Sequence, residues 1–193
     1  MPVLLYEMQA QHHHGYRSGM RVEKGRFKMI KDSGNRREFE SGAVRDIQEG
    51  KGRCDLLPLD AVGLMYEGKY SLEHNKVFFA LSYFQKIGNI ASLLNALDSF
   101  CCVSNFENYH DMILEVSKHF EEGAKKYSER NWEKGIPIHC YIDSAVRHYL
   151  KFLRGDTDER HDRAFCWNIL CCIWTCINKP ELNDYLKADD DEN

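Results

Sequence analysis

Beyond residue 54 the chain reads as a series of amphipathic helices. Apolar residues recur at intervals of three and four, the spacing that puts them on one face of a helix. In VFFALSYFQKIG, Val77, Leu81 and Phe84 form one stripe, with Phe78 and Ile87 beside it, and Gly88 reads as the stop. Ile90, Leu93, Leu94, Leu97 and Cys101 set the period of the next helix. From residue 107 to 127 the stripe is Ile113, Val116, Phe120, Ala124 and Tyr127. A loop over 128–137 leads to a helix over about 139–154, with Ile142, Ala145, Tyr149 and Phe152 inward and Gly155 as its end. Asp156 and Glu159 are spaced like a capping box. The last long helix then runs to about Asn178 on Phe165, Ile169, Cys172, Ile173 and Cys176.

The first fifty residues lack such a period. Residues 1–20 read as a flexible arm carrying His12, His13 and His14, a short exposed run that is more often incidental than metal-binding. Residues 21–53 are mildly basic, and glycines at 25, 34, 42, 50 and 52 break any long helix, so loops with short strands are expected. The alternation of a large sheet is absent. The predicted fold is mainly α, a helical bundle with an irregular, glycine-punctuated N-terminal segment. One domain over 21–186 is expected, with 63–115 as helical insertion or scaffold and 187–193 as a solvated acidic tail.

Composition narrows the function classes. At 193 residues the chain suffices for one domain with a real core. A net charge of −4 argues against a general nucleic-acid binder. No run reaches the length of a membrane span, and the N-terminus lacks a signal-peptide pattern, so a cytoplasmic protein is expected, in the host cytoplasm if phage-encoded. Its 8 cysteines should then be reduced thiols. Cys166, Cys171, Cys172 and Cys176 sit on one apolar helix without a C-x-x-C pair and read as core. Cys54 and Cys140 have no assigned histidine partner, so the sequence does not support a cysteine nucleophile.

The chemistry concentrates in residues 119–168. Glu121, Glu122, Asp143, His148, Asp158, Glu159, His161 and Asp162 are metal-ligand types, and Lys125, Lys126 and Arg147 are phosphate-binding types. Each group has a plainer reading. Glu121 with Lys125, Glu122 with Lys126 and Asp143 with Arg147 are i,i+4 pairs that a solvated helix face also carries. Asp158 and Glu159 suit a helix N-terminus. His161 and Asn168, seven apart, escape that account. Asn131 and Trp132 offer an amide and an indole, the partners a nucleobase uses. In EGKGRCDLLP, Gly50 and Gly52 let backbone N–H groups approach an anion, and Lys51 and Arg53 add charge, without the spacing of a Walker loop.

SGAVRDIQEGKGRCDLLPLDAV at 41–62, EEGAKKYSERNWEKG at 121–135, DSAVRHYL at 143–150 and GDTDERHDRAFCWNIL at 155–170 resemble, in order, the phage and bacterial dATP/dGTP diphosphohydrolase-like family, through its N-terminal domain. That family is similar to the all-α MazG-type pyrophosphohydrolases, which cleave a nucleoside triphosphate between the α and β phosphates. These hold Mg²⁺ or Mn²⁺ on an E-x-x-E pair and an E-x-x-D pair. Glu159 and Asp162 fit the second pair. The first is broken, because Glu121 and Glu122 are adjacent and position 125 is Lys.

The resemblance implies metal-dependent hydrolysis of a dNTP, with purines favoured, to the monophosphate and pyrophosphate. It places metal on Glu121, Glu122, Asp158, Glu159, His161 and Asp162, with Glu122, His148 and Glu159 in catalysis. Arg45, Lys51, Arg53, Asp55, Lys126, Asn131, Trp132, Arg147 and Asn168 would bind substrate. A homo-oligomer with sites between subunits is expected. The broken pair keeps two alternatives open: a non-catalytic nucleotide-binding or sequestering protein, and a helical interaction protein with a merely solvated polar face.

Overall fold

The computed structural model describes residues 34–67 and 71–186. The arm over 1–20, its histidines and the acidic tail lie outside the described residues. Six α-helices dominate: α1 (Leu59–Tyr66), α2 (Leu72–Ile87), α3 (Ile90–Val103), α4 (Tyr109–Lys126), α5 (Ile138–Arg154) and α6 (His161–Asn178). Among the described residues the one sheet is an antiparallel hairpin, β1 (Arg36–Glu38) with β2 (Val44–Asp46), in register Arg36 to Asp46 and Glu38 to Val44. The chain is thus mainly helical, with this hairpin and its glycine turns among the described residues ahead of α1.

The helices form where the apolar period predicts, and their ends follow local chemistry. Gly88 closes α2 and Gly155 closes α5, both at positive φ (63° and 83°), a conformation that costs glycine nothing. Asn89 caps α3 through Ala91 N–H, and Asn108 caps α4 through the N–H groups of His110 and Asp111. The core joins α2, α3, α5 and α6 around Phe78, Phe84, Phe100, Tyr149 and Phe165. Phe100 lies 4.4 Å from Phe165 and 5.8 Å from Tyr149, ring centre to ring centre. Ile87, Leu94 and Ile113, expected inward, are exposed among the described residues.

The start of α6 differs from the sequence reading. Asp156 does not cap it; its carboxylate takes the guanidinium of Arg154. Residues 155–160 form a connector and the helix begins at His161. Asp158 and Glu159 therefore do not share a helical face with His161 and Asp162. They reach the site from a loop, which frees their direction from the 100° step of a helix.

Candidate functional site

A cleft of about 440 Å³ opens between the hairpin and the α4–α5–α6 layer. Backbone-anchoring side chains fix the hairpin there. Asn131 uses both halves of its amide on one residue, accepting from Val44 N–H (2.9 Å) and donating to Val44 C=O (2.8 Å). Arg45 donates to Asn168 Oδ1 (2.7 Å) and Ser144 Oγ (3.1 Å), with its guanidinium against the rings of Tyr141 and Trp167. Asp46 takes Lys126 Nζ (2.8 Å) and the Tyr127 hydroxyl (3.1 Å). Buried Asp143 accepts from Cys54 N–H (2.6 Å), Gln48 Nε2 (2.9 Å) and Arg147. Arg147 also donates to the carbonyls of Lys51 and Gly52. The loop after the hairpin is thereby tied to α5.

At one end of the cleft three ligand-type atoms converge. His148 Nδ1 lies 3.0 Å from His161 Nδ1, and each lies 3.4 Å from Glu159 Oε1. Ligands bound at about 2.0–2.2 Å in tetrahedral or octahedral geometry stand roughly 3.0–3.5 Å apart, so the triangle fits one metal-binding face. The far side of His161 is set for this: Nε2 lies 2.8 Å from Asp158 Oδ1. An N–H donated to that carboxylate leaves Nδ1 with its lone pair toward the triangle, as metal-bound histidines are usually held. Burial pushes His148 down to about 3, so its ring is neutral at ordinary pH. Burial pushes Glu159 up, but His161, His148 and Lys151 outweigh it and hold the carboxyl below its usual range. Three electron-rich atoms this close repel one another unless a proton shared by the rings or a cation held by all three lies among them.

Cationic side chains line the same cleft: Arg37, Arg45, Lys51, Arg147 and Lys151. Burial lowers the pKa of Lys51, opposed by Asp46. Two cleft-wall donors, Arg45 Nη1 and Trp167 Nε1, are buried without a hydrogen-bond partner among the described residues. A buried donor left unmade costs about 1–3 kcal/mol, so an incoming acceptor has something to gain there.

The sequence-derived residues divide on this geometry. Arg45, Lys51, Asn131, Arg147, His148, Asp158, Glu159 and Asn168 line the cleft, and His161 joins the triangle behind them. The others do not line it. Glu121 is exposed and pairs with Lys125, the plainer reading of that pair. Glu122 faces Arg163 at 4.0 Å instead of Lys126. Asp162 is occupied by the fork of Arg160 (2.8 and 2.6 Å), which removes it from a pair with Glu159. Arg53 and Asp55 grip each other, and the Arg53 pKa is raised by that bond. Lys126 is consumed by Asp46 beneath the cleft. Trp132 packs edge-on to Trp174 and Phe120, and the Asn131 amide is spent on Val44, so neither presents its polar face to a base.

Sequence reasoning missed several cleft residues. His119 and Gly123 line the cleft from α4, four apart, and Tyr127 from the position that caps the helix. That is the signal: residues four apart share a helix face, and Glu121, about 200° around from His119, lies on the opposite side. Burial lowers His119 to about 4, and its ring lies 5.8 Å from that of Trp167. Asp46 was passed over because its partners, Lys126 and Tyr127, are eighty residues away. Cys140 also lines the cleft and does have a histidine: its Sγ lies 3.2 Å from His139 Nε2. Sequence reasoning assigned it no histidine partner, because adjacent helical residues normally point apart.

Residues 105–185 match the family model described as dATP/dGTP diphosphohydrolase, N-terminal. No curated protein and no solved structure matches the chain. The matched span supplies the whole triangle and the helical walls of the cleft, while the hairpin lies outside it. The part of this chain that builds the site, residues 105–185, thus carries the pattern of the dATP/dGTP diphosphohydrolase family's N-terminal domain.

Proposed function

We propose that the cleft binds a purine deoxynucleoside triphosphate and hydrolyses it to the monophosphate and pyrophosphate with a divalent cation on His148, Glu159 and His161. The observation that carries this reading is the triangle of two imidazoles and a carboxylate opening on a cleft lined with cations. When bound, the cation would polarise a phosphoryl oxygen and acidify a coordinated water. Two imidazole donors favour Mn²⁺ over Mg²⁺, which prefers an all-oxygen set.

The remaining roles fall to residues already in place. Lys51, Arg147 and Lys151 line the same cleft as the triangle and neutralise the phosphates. Arg45 offers Nη1 to an oxygen of the substrate, and its position is set by Asn168 and Ser144. Trp167 and Tyr127 give the cleft aromatic wall for the base. Asp158 orients His161 and acts through it.

The test is direct. Purified protein is incubated with each dNTP in Mn²⁺ or Mg²⁺ and the products are separated. Deoxynucleoside monophosphate and pyrophosphate in a 1:1 ratio, fastest with dATP or dGTP, are expected. No product from any dNTP, with Glu159→Gln indistinguishable from wild type in nucleotide binding, overturns the reading. Tight nucleotide binding without turnover selects the sequestering alternative.

A further inference from the structure

Elsewhere in the cleft wall a cysteine stands beside a histidine. Cys140 occupies the first turn of α5, where Cys140 N–H donates to Pro137 C=O (3.0 Å). Its Sγ lies 3.2 Å from His139 Nε2. The other ring nitrogen of His139, Nδ1, is bonded to Asp184 Oδ2, and the same carboxylate accepts His139 N–H through Oδ1 at 3.1 Å. Arg37 Nη1 reaches toward Sγ from β1 at 4.0 Å. Nucleophile, base and orienting acid thus stand in line, the order that activates a thiol. Eight residues of helix, roughly 12 Å at 1.5 Å per residue, separate Cys140 from His148.

We propose that Cys140, His139 and Asp184 form a reactive-thiol site, in which a Cys140 thiolate is paired with a His139 imidazolium and reacts with small soft electrophiles that enter through the cleft, hydroperoxides above all. The contacts of His139 and the surroundings of the sulfur favour the ion pair. Both ring nitrogens of His139 are engaged, Nδ1 by the Asp184 carboxylate and Nε2 by Cys140 Sγ, so an imidazolium has a partner for each of its protons. Asp184 and Cys140 together raise His139 to about 10. A helix N-terminus and a neighbouring guanidinium both favour negative charge on sulfur. The charged groups facing the pair are Asp184 from the C-terminal segment, Arg37 from β1, and, farther off, Arg53 from the loop before α1.

With a hydroperoxide the step balances without a further reactant. The thiolate sulfur attacks the distal peroxide oxygen, an S–O bond forms and the O–O bond breaks. Sulfur is oxidised to the sulfenic acid and the peroxide is reduced. The departing oxygen leaves as water or alcohol with the proton of His139 Nε2, and the imidazole becomes neutral. No hydrogen bond between another cysteine and a histidine is seen among the described residues, although the Cys176 thiol is lowered by its bond with Cys172. Burial raises the thiols of Cys166, Cys171 and Cys172, and Cys102, though exposed, is also raised by burial and by Asp98.

The full chain is labelled with iodoacetamide from pH 5.5 to 8.5, and separately with hydrogen peroxide followed by dimedone, and each cysteine is quantified by peptide mass spectrometry. Cys140 is expected to react more than tenfold faster than Cys102 at pH 6 and to change little up to pH 8, while Cys102 gains about tenfold per pH unit. Asp184→Asn is expected to remove the reactivity of Cys140 at pH 6. A Cys140 rate that follows the pH rise of Cys102, or a Cys140 that neither reagent modifies, overturns the proposal. The wild-type profile decides the matter even if the variant does not fold, and it does not depend on nucleotide hydrolysis.

Discussion

Two helical hairpins of this protein share a plan and differ in their connectors. α2 and α3 are joined by Gly88 and Asn89 alone, a left-handed glycine and a capping asparagine. α5 and α6 are joined by residues 155–160, again opening on a left-handed glycine but continuing through Asp158 and Glu159. The short connector finishes one helix and starts the next, and the buried polar groups of that pair are Asn75, Ser82, Ser92 and Ser99, all neutral. The long connector leaves the helical path and brings two carboxylates back against His148 and His161, in a pair whose buried polar groups include Asp143, His161, Asp162 and Asn168. Apolar packing alone settles the first hairpin. In the second, packing supplies the frame, and ligand geometry is placed by a loop.

The sharpest way to break this contrast is to damage each hairpin in its own currency. Phe78→Ala in α2 deletes a fully buried ring that touches Tyr149 at 4.9 Å. It should cost about 3–5 kcal/mol in denaturant unfolding and leave turnover per folded molecule unchanged. Glu159→Gln should do the reverse, lowering kcat about a hundredfold, near 2.7 kcal/mol, and abolishing the thermal shift given by Mn²⁺. If Glu159→Gln costs only stability, the connector is structural and the contrast fails. Asp158→Asn weakens the grip on the His161 tautomer, and Mn²⁺ affinity by calorimetry should fall about tenfold, the low end for a supporting carboxylate.

Smaller effects refine the picture. His139 is raised to about 10 in the folded protein, against about 6.5 unfolded. A raised pKa contributes stability that is complete below the unfolded value and is lost as pH climbs through the folded one. His139→Gln should therefore lower stability by about 1–2 kcal/mol at pH 6, with the gap to wild type closing between pH 6.5 and 10. Equal gaps at both ends of that range would remove the ion pair with Asp184 from consideration. Glu121→Gln, on an exposed pair with Lys125, should change neither kcat nor KM by more than about twofold.

How much of this was legible in the chain depends on distance along it. The ends of α2 and α5 were readable because Gly88 and Gly155 act on their own turns. The plainer readings of Glu121–Lys125 and Asp143–Arg147 also hold, since partners four apart on a helix meet without help from the rest of the fold. The start of α6 was not readable. Asp156 pairs with Arg154, two residues back, and Glu159 answers His148 from the neighbouring helix as well as His161, so other partners won over the cap. Asn131 and Trp132 were placed by residue type, but Val44 and Trp174 had already claimed them.

The sequence by itself determined that residues 59–178 fold as amphipathic helices and that ligand-type side chains crowd the last third, because both properties depend on spacing and composition alone. The tertiary structure decided which of those side chains face one another. The packing of α4 turned His119 and Gly123 toward the cleft and left Glu121 exposed. Long-range bonds such as Arg45 to Asn168 and Asp46 to Lys126 closed the hairpin over the helices and made a cleft of separate segments. A metal face or an activated thiol is a matter of a few ångströms between residues from different elements, and only packing sets that distance.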